Sequence, residues 1–155
     1  DFLGEWRVLM RRKQLFNYLL LSLLSLSLLT GCPGASDYDI DLPGGYSVVR
    51  TSAHQVTIAP KRNDTGGWGA DVIPTKVTEV AWDDNYIIAK QLGLKEDEDS
   101  GNGYQIPDEE NVHFWIVEIK IDKVIGPLDN ESFMAKKAEL EIPKDVVLKE
   151  IDEIR

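Results

Sequence analysis

The chain carries one cysteine, Cys32, two histidines, His54 and His113, and no basic tract longer than Arg11-Arg12-Lys13. Each scarcity removes a class of protein. A single thiol permits no intramolecular disulfide and no thiolate metal cluster. The two histidines open separate β-rich runs and lack the HExxH or paired-ligand spacing of a zinc site, so each reads as an ordinary turn or sheet residue. With 17 basic against 27 acidic side chains and a pI near 4.6, no concentrated positive surface is available for a phosphate backbone, and nucleic acid is excluded as a partner. No apolar run reaches the roughly 20 residues that a helix needs to cross a bilayer core of about 30 Å. No G-x-S-x-G elbow surrounds Ser47, Ser52, Ser100 or Ser132, and Gly66-Gly67-Trp68-Gly69 lacks the Lys-Ser/Thr that follows a phosphate-binding loop. With no catalytic constellation in view, the chain is read as a non-enzyme.

Leucine is what the start of the chain has in excess. Leu15 to Leu29 is a 15-residue stretch with nine leucines and no charge, preceded by Arg11, Arg12 and Lys13. A positive segment held on the cytoplasmic side, followed by a short apolar helix entering the translocon, is the pattern of a secretory signal. Residues 1–9 fit no part of it, whereas Met10 abuts the basic triplet. Residues 1–9 are therefore read as a non-native upstream extension and residues 10–31 as a signal peptide.

The apolar stretch ends at Leu29-Thr30-Gly31-Cys32, which resembles the lipobox of bacterial lipoproteins at every position. That resemblance implies cleavage between Gly31 and Cys32, diacylglycerol on the Cys32 sulfur, and a chain anchored on the extracytoplasmic face of the bacterial cell membrane. No other cofactor is expected. Two acyl chains make anchoring persistent where a single chain is marginal. The processed chain, residues 32–155, would have 13 basic and 25 acidic side chains, a net charge of −12. Anionic headgroups repel such a body, which is expected to stand off the membrane. Residues 32–44 read as a lipidated tether, with Gly34-Ala35-Ser36-Asp37 flexible and Asp37, Asp39 and Asp41 supplying charge. Residues 45–155 read as a single globular domain.

Within that domain the patterning is mostly that of strands. Tyr46 to Thr51 and Gln55 to Ala59 are β-rich runs separated by Ser52-Ala53-His54, a hairpin signal. Lys76 to Trp82 alternates, with Val77, Glu79 and Ala81 on one face and Lys76, Thr78, Val80 and Trp82 on the other. Asp83-Asp84-Asn85 tolerates the turn into Tyr86 to Gln91. His113 to Ile121 alternates again, Asp122-Lys123 turns it into Val124-Ile125, and Gly126-Pro127 is expected to stop the sheet. Asp129 or Asn130 can cap a helix through about Leu140, where Phe133, Met134, Lys137, Ala138 and Leu140 recur at helical spacing. Lys144 to Ile154 places Val147, Leu148, Ile151 and Ile154 on one helical face, although Val146-Val147 disfavours a helix. The expected class is α+β, a mainly antiparallel β-meander with one or two C-terminal helices.

Two insertions read as loops, glycine-rich Lys61 to Asp71 and acidic Gly93 to Asn111. Asp97, Asp99 and Asp108 in the second could supply hard oxygen ligands to calcium. However, Gly101-Asn102 reverses the order an EF-hand requires, and a solvated, mobile loop is the simpler reading. Trp68 and Tyr104 fall in these loops and are the candidate partner surface, while Trp82 and Trp115 fit a core.

Asp41-Leu-Pro-Gly-Gly-Tyr46, Val80-Ala-Trp-Asp-Asp-Asn-Tyr-Ile-Ile-Ala-Lys90 and Val124-Ile-Gly-Pro-Leu-Asp129 together resemble an uncharacterised family of small lipoproteins from Gram-positive bacteria. The resemblance implies an envelope location and a shared fold, and carries over no active residue. The expected function is a lipid-anchored, non-catalytic binding or interaction module whose partner is an unknown envelope protein or ligand. The alternative is an extracytoplasmic metal-dependent enzyme or calcium-binding domain using the 93–111 loop.

Overall fold

The computed structural model describes residues 37–62, 64 and 66–155. The signal peptide, the lipobox and Cys32 lie outside the described residues. Within them, eight strands form two antiparallel sheets accompanied by one α-helix. The three-stranded sheet has the order β1-β2-β3, from β1 (Tyr38–Asp41), β2 (Tyr46–Arg50) and β3 (Val56–Pro60). The five-stranded sheet has the order β7-β6-β5-β4-β8, from β4 (Val77–Trp82), β5 (Tyr86–Glu96), β6 (Gln105–Glu118), β7 (Lys123–Leu128) and β8 (Lys149–Glu150). This is the expected α+β class with its antiparallel meander, and the helix α1 (Asn130–Glu139) follows the meander.

Side-chain alternation on the central strands builds two cores, one on each face of the larger sheet. Ile87, Ala89 and Val117 point toward the smaller sheet and pack with Val48, Val56, Ile58 and Tyr46. Their neighbours Ile88 and Ile116 point the other way and pack with Phe133 of α1 and with Ile142 and Val146 beyond it. The result is a sheet-on-sheet layer backed by a helix. Asp129 caps α1 as its sequence suggested, accepting the Ser132 amide at 2.7 Å, and this hydrogen bond holds its carboxyl below the usual range. Phe133 stacks on Phe114 with ring centres 4.7 Å apart, but Met134 faces solvent.

Five expectations about the elements are corrected. The segment read as a tether contains β1, in which Tyr38 and Ile40 turn inward while Asp39 and Asp41 turn outward. Lys61 reaches back to the outward carboxylates, lying 3.4 Å from Asp39 and hydrogen-bonding Asp41. That hydrogen bond holds Asp41 below, and Lys61 above, its ordinary range.

In β4 the two-face alternation fails at Thr78. Val77 pairs with Gln91 and Glu79 with Lys90, so Thr78 is an extra residue, and Val77 and Val80 consequently share the inter-sheet face. The loop read over Gly93 to Asn111 is mostly β5–β6 hairpin, paired in register from Gly93–Asp108 to Glu96–Gln105. The tail read as a second helix is instead extended. Ile142 and Val146 lie on the helix face, β8 pairs with β4, and Ile151 enters the inter-sheet core, so the tail wraps the β4 edge. Pro143 and two adjacent β-branched valines favour that course.

Finally, β7 continues through Gly126-Pro127 as far as Leu128, which pairs with Phe114. Gly126 makes this continuation feasible. Its φ is +148°, and a Cβ there would lie 2.5 Å from Trp115 Cε3 and 3.0 Å from the Phe114 carbonyl, so the indole can lie against bare backbone. Gly126→Ala is expected to destabilise the fold by about 3 kcal/mol through overpacking and a disfavoured φ. Urea unfolding checks this, and a loss under about 1 kcal/mol would show that Trp115 is not held there.

Candidate functional site

A cleft of about 590 Å³ opens where the two sheets part. Its walls come from three places: Tyr38, Arg50 and Ala53 of the small sheet, Lys76 to Glu79 with Lys90 of the large one, and Glu150 to Asp152 of the tail. Leu92, Pro107, Glu109 and Val112 complete it from the β5–β6 hairpin. Such a volume suits a small organic ligand.

Two irregularities in the ladder shape this cleft. The extra residue Thr78 shifts the β4 register beside Lys76 and Glu79. Between Leu92–Val112 and Gly93–Asp108, residues 109–111 have no partner on β5, and the resulting bulge carries Glu109 to the cleft wall. Gly93 accommodates the bulge, since a Cβ there would sit 2.2 Å from Asn111 Nδ2. Glu79, itself half-buried, is held by Lys90 at 2.5 Å.

The joint behind the cleft is a buried polar network. Gln91, 5% exposed, donates through Nε2 to the carbonyls of Thr75 (2.8 Å) and Leu92 (2.9 Å). Its Oε1 accepts the Trp115 indole N–H at 3.2 Å. Thr75 Oγ1 donates to the His54 carbonyl at 2.5 Å and accepts the Val56 amide at 3.3 Å. The segment before Thr75 runs along the free edge of β3, where Ile58 and Ile73 exchange backbone hydrogen bonds. One continuous set of bonds thus ties β3, the entry to β4, β5 and β6.

The residues singled out from sequence are distributed around this framework. Tyr104, 51% exposed, sits at the β5–β6 tip, edge-on to His54 with ring centres 5.9 Å apart, next to the Ala53 wall. Trp68 lies beyond the other end of β3, bridged to Lys61. Five strand residues, roughly 16 Å, separate the two ends, so Trp68 and Tyr104 do not form one surface. Around Trp68 the Gly66 and Gly69 amides already bond the Arg62 and Pro60 carbonyls, so they do not form a phosphate cradle.

The calcium alternative is not assembled either. Asp97 accepts the Asp99 amide at the tip, while Asp108 sits opposite Gly93 and 3.4 Å from Lys95, about four strand residues or roughly 13 Å away. His54 and His113 occupy separate elements, His113 lying opposite Gln91. Among the described residues no group of three or more His, Cys, Asp or Glu could hold a metal ion. The hydroxyls of Ser47, Ser52 and Ser100 serve local hydrogen bonds to Asp41, the Gln55 amide and the Asp97 carbonyl.

Sequence reasoning missed Tyr38, Arg50 and Lys76. Tyr38-Asp39-Ile40-Asp41 carried the signal for the first, a strict two-residue alternation in an acid-rich segment. Nothing local marks Lys76, whose place depends on the Thr78 bulge.

The architecture defines a class: an antiparallel two-sheet α+β domain backed by a helix, with a polar-walled cleft at the parting of the sheets. The chain belongs to the family described as Protein of unknown function (DUF3997), whose model matches residues 43–152. Neither a curated protein nor a solved structure matches it. Among the described residues no helix is long and apolar enough to cross a membrane.

Thr75→Val keeps the side-chain shape but removes both hydroxyl bonds. It is expected to cost about 2 kcal/mol and to speed amide exchange at Val56. Urea unfolding together with hydrogen exchange tests this, and a change under about 0.5 kcal/mol with Val56 still protected would contradict it.

Proposed function

We propose that this chain is a lipoprotein of a Gram-positive cell envelope. Diacylglycerol on Cys32 holds it to the extracytoplasmic face of the membrane, and the folded body acts as a non-catalytic binding module. The address rests on Leu29-Thr30-Gly31-Cys32 at the end of a leucine-rich stretch preceded by Arg11-Arg12-Lys13. The module reading rests on the cleft, and one observation carries it: recognition groups from both sheets and the tail converge on a volume of about 590 Å³. Tyr104 stands near the cleft as a candidate contact for an envelope partner, while Trp68 belongs to a separate part of the surface.

The reading is tested by membrane fractionation of the full chain and of Cys32→Ala in a bacterial host, with intact mass of each product. The wild type should sediment with membranes, begin at Cys32 and carry the added mass of a diacylglycerol. The variant should remain an uncleaved precursor without lipid, beginning at Met10. A wild type whose Cys32 carries no lipid, fractionating as the variant does, would remove the anchor from the account.

A further inference from the structure

In the processed chain acids outnumber bases by nearly two to one, and six of the thirteen described cations have taken a carboxylate. Lys61, Arg62, Lys90, Lys95, Lys123 and Lys136 each lie within 4.0 Å of one. Among the described residues Arg50, Lys76 and Arg155 have no such partner. Lys120, Lys144 and Lys149 are also unpaired but exposed, and half-buried Lys137 donates to the Val146 carbonyl at 3.0 Å. Arg50 and Lys76 are different, being half-buried and lining the same cleft.

Arg50 is also held in place. Its Nε donates to the Ser52 carbonyl at 3.3 Å, and its guanidinium lies 5.4 Å from the centre of the Tyr38 ring. The Arg155 guanidinium lies 4.6 Å from the same ring, so one aromatic side chain gathers two positive groups at the cleft wall. With Nε engaged, the two Nη groups of Arg50 keep their donors for a ligand. A guanidinium presents them as a planar fork that fits two oxygens of one oxyanion. Lys76 adds a point charge in the same cleft.

We infer that Arg50 and Lys76 make this cleft a phosphate-recognition site, taking a small organic phosphate or diphosphate. Resting on the binding-module reading above, this inference names the ligand class. Two half-buried cations, with Arg155 held nearby on Tyr38, match a dianion better than a single carboxylate. Glu109, Glu150 and Asp152 line the same cleft and would repel a second anionic group. The remainder of the ligand is therefore neutral or cationic, lying against Leu92, Pro107 and Val112.

The test is a titration of the full chain in neutral detergent, at fixed ionic strength, with inorganic pyrophosphate, glycerol 3-phosphate and succinate, followed by amide NMR. Pyrophosphate or glycerol 3-phosphate should saturate with Kd below about 1 mM and shift the amides of Tyr38, Arg50 and Lys76. Arg50→Gln and Lys76→Gln should each weaken binding about tenfold. Arg50→Lys should fall between wild type and Arg50→Gln, because it keeps the charge and loses the fork. Lys144→Gln should leave binding unchanged. Absence of saturation at about 20 mM of either phosphate, equal weakening by Lys144→Gln, or tighter binding of succinate would each overturn the assignment. The spectra of the variants report whether each is folded. An unlipidated chain that binds pyrophosphate loses the anchor and keeps this site, whereas an acylated chain that binds none loses this site alone.

Discussion

Gln91 of β5 has its buried side-chain amide engaged three times, with two donated hydrogen bonds to the Thr75 and Leu92 carbonyls and one accepted from the Trp115 indole, and Thr75 carries the set on to β3. A primary amide buried without partners would cost several kcal/mol, so this position works only because the chain brings all three groups to it. Apolar packing alone holds two sheets together without fixing how they slide. A satisfied polar group does fix it, because a small shift would strand a donor or an acceptor. Gly126 participates by letting Trp115 lie against the β7 backbone, which aims the indole N–H at Gln91.

The cleft depends on that joint. Thr75, bonded to Gln91 on one side and to Val56 and His54 on the other, sets where β3 leaves off and β4 begins. From there the sheets diverge. Bulges at Thr78 and at residues 109–111 keep the ladder from closing the gap, and they move charged side chains to its walls. The edge of β4 beyond the short β8 pairing is covered by Ile151, one of the cleft's own lining residues. The irregular parts of the sheet and the cleft therefore coincide, as ladder defects and binding surfaces often do.

How far the sequence disclosed this varies with the range of the interaction. The hairpins around Ser52-Ala53-His54 and Asp83-Asp84-Asn85 were legible because their signals are local, and Asp83 Oδ1 indeed accepts the Asn85 and Tyr86 amides at 2.8 Å. The Asp129 cap was legible for the same reason. The tail was misread because Val147, Leu148, Ile151 and Ile154 satisfy a helical period by coincidence. Those residues bury against elements far away in sequence, and tertiary contacts outweigh the period. The acidic stretch after Gly93 looked like a loop because charge dominates its composition, yet its backbone pairs as strand and only its tip is free. Of the residues singled out, Tyr104 stands beside His54 near the cleft without lining it. Arg50 and Lys76 carry no local mark, since their proximity is created by the parting of two sheets.

The claim that the Gln91 joint is a connected polar network is tested most directly by a double-mutant cycle on Gln91→Leu and Trp115→Phe, read by urea unfolding. Leucine at position 91 strands the indole N–H, and phenylalanine at position 115 removes it, so the two changes should be non-additive. A coupling of about 1–2 kcal/mol is expected, the double variant being less destabilised than the sum of the singles. Additivity within about 0.3 kcal/mol would mean that the indole–amide bond does not hold Gln91 and that the joint is not the connected network described.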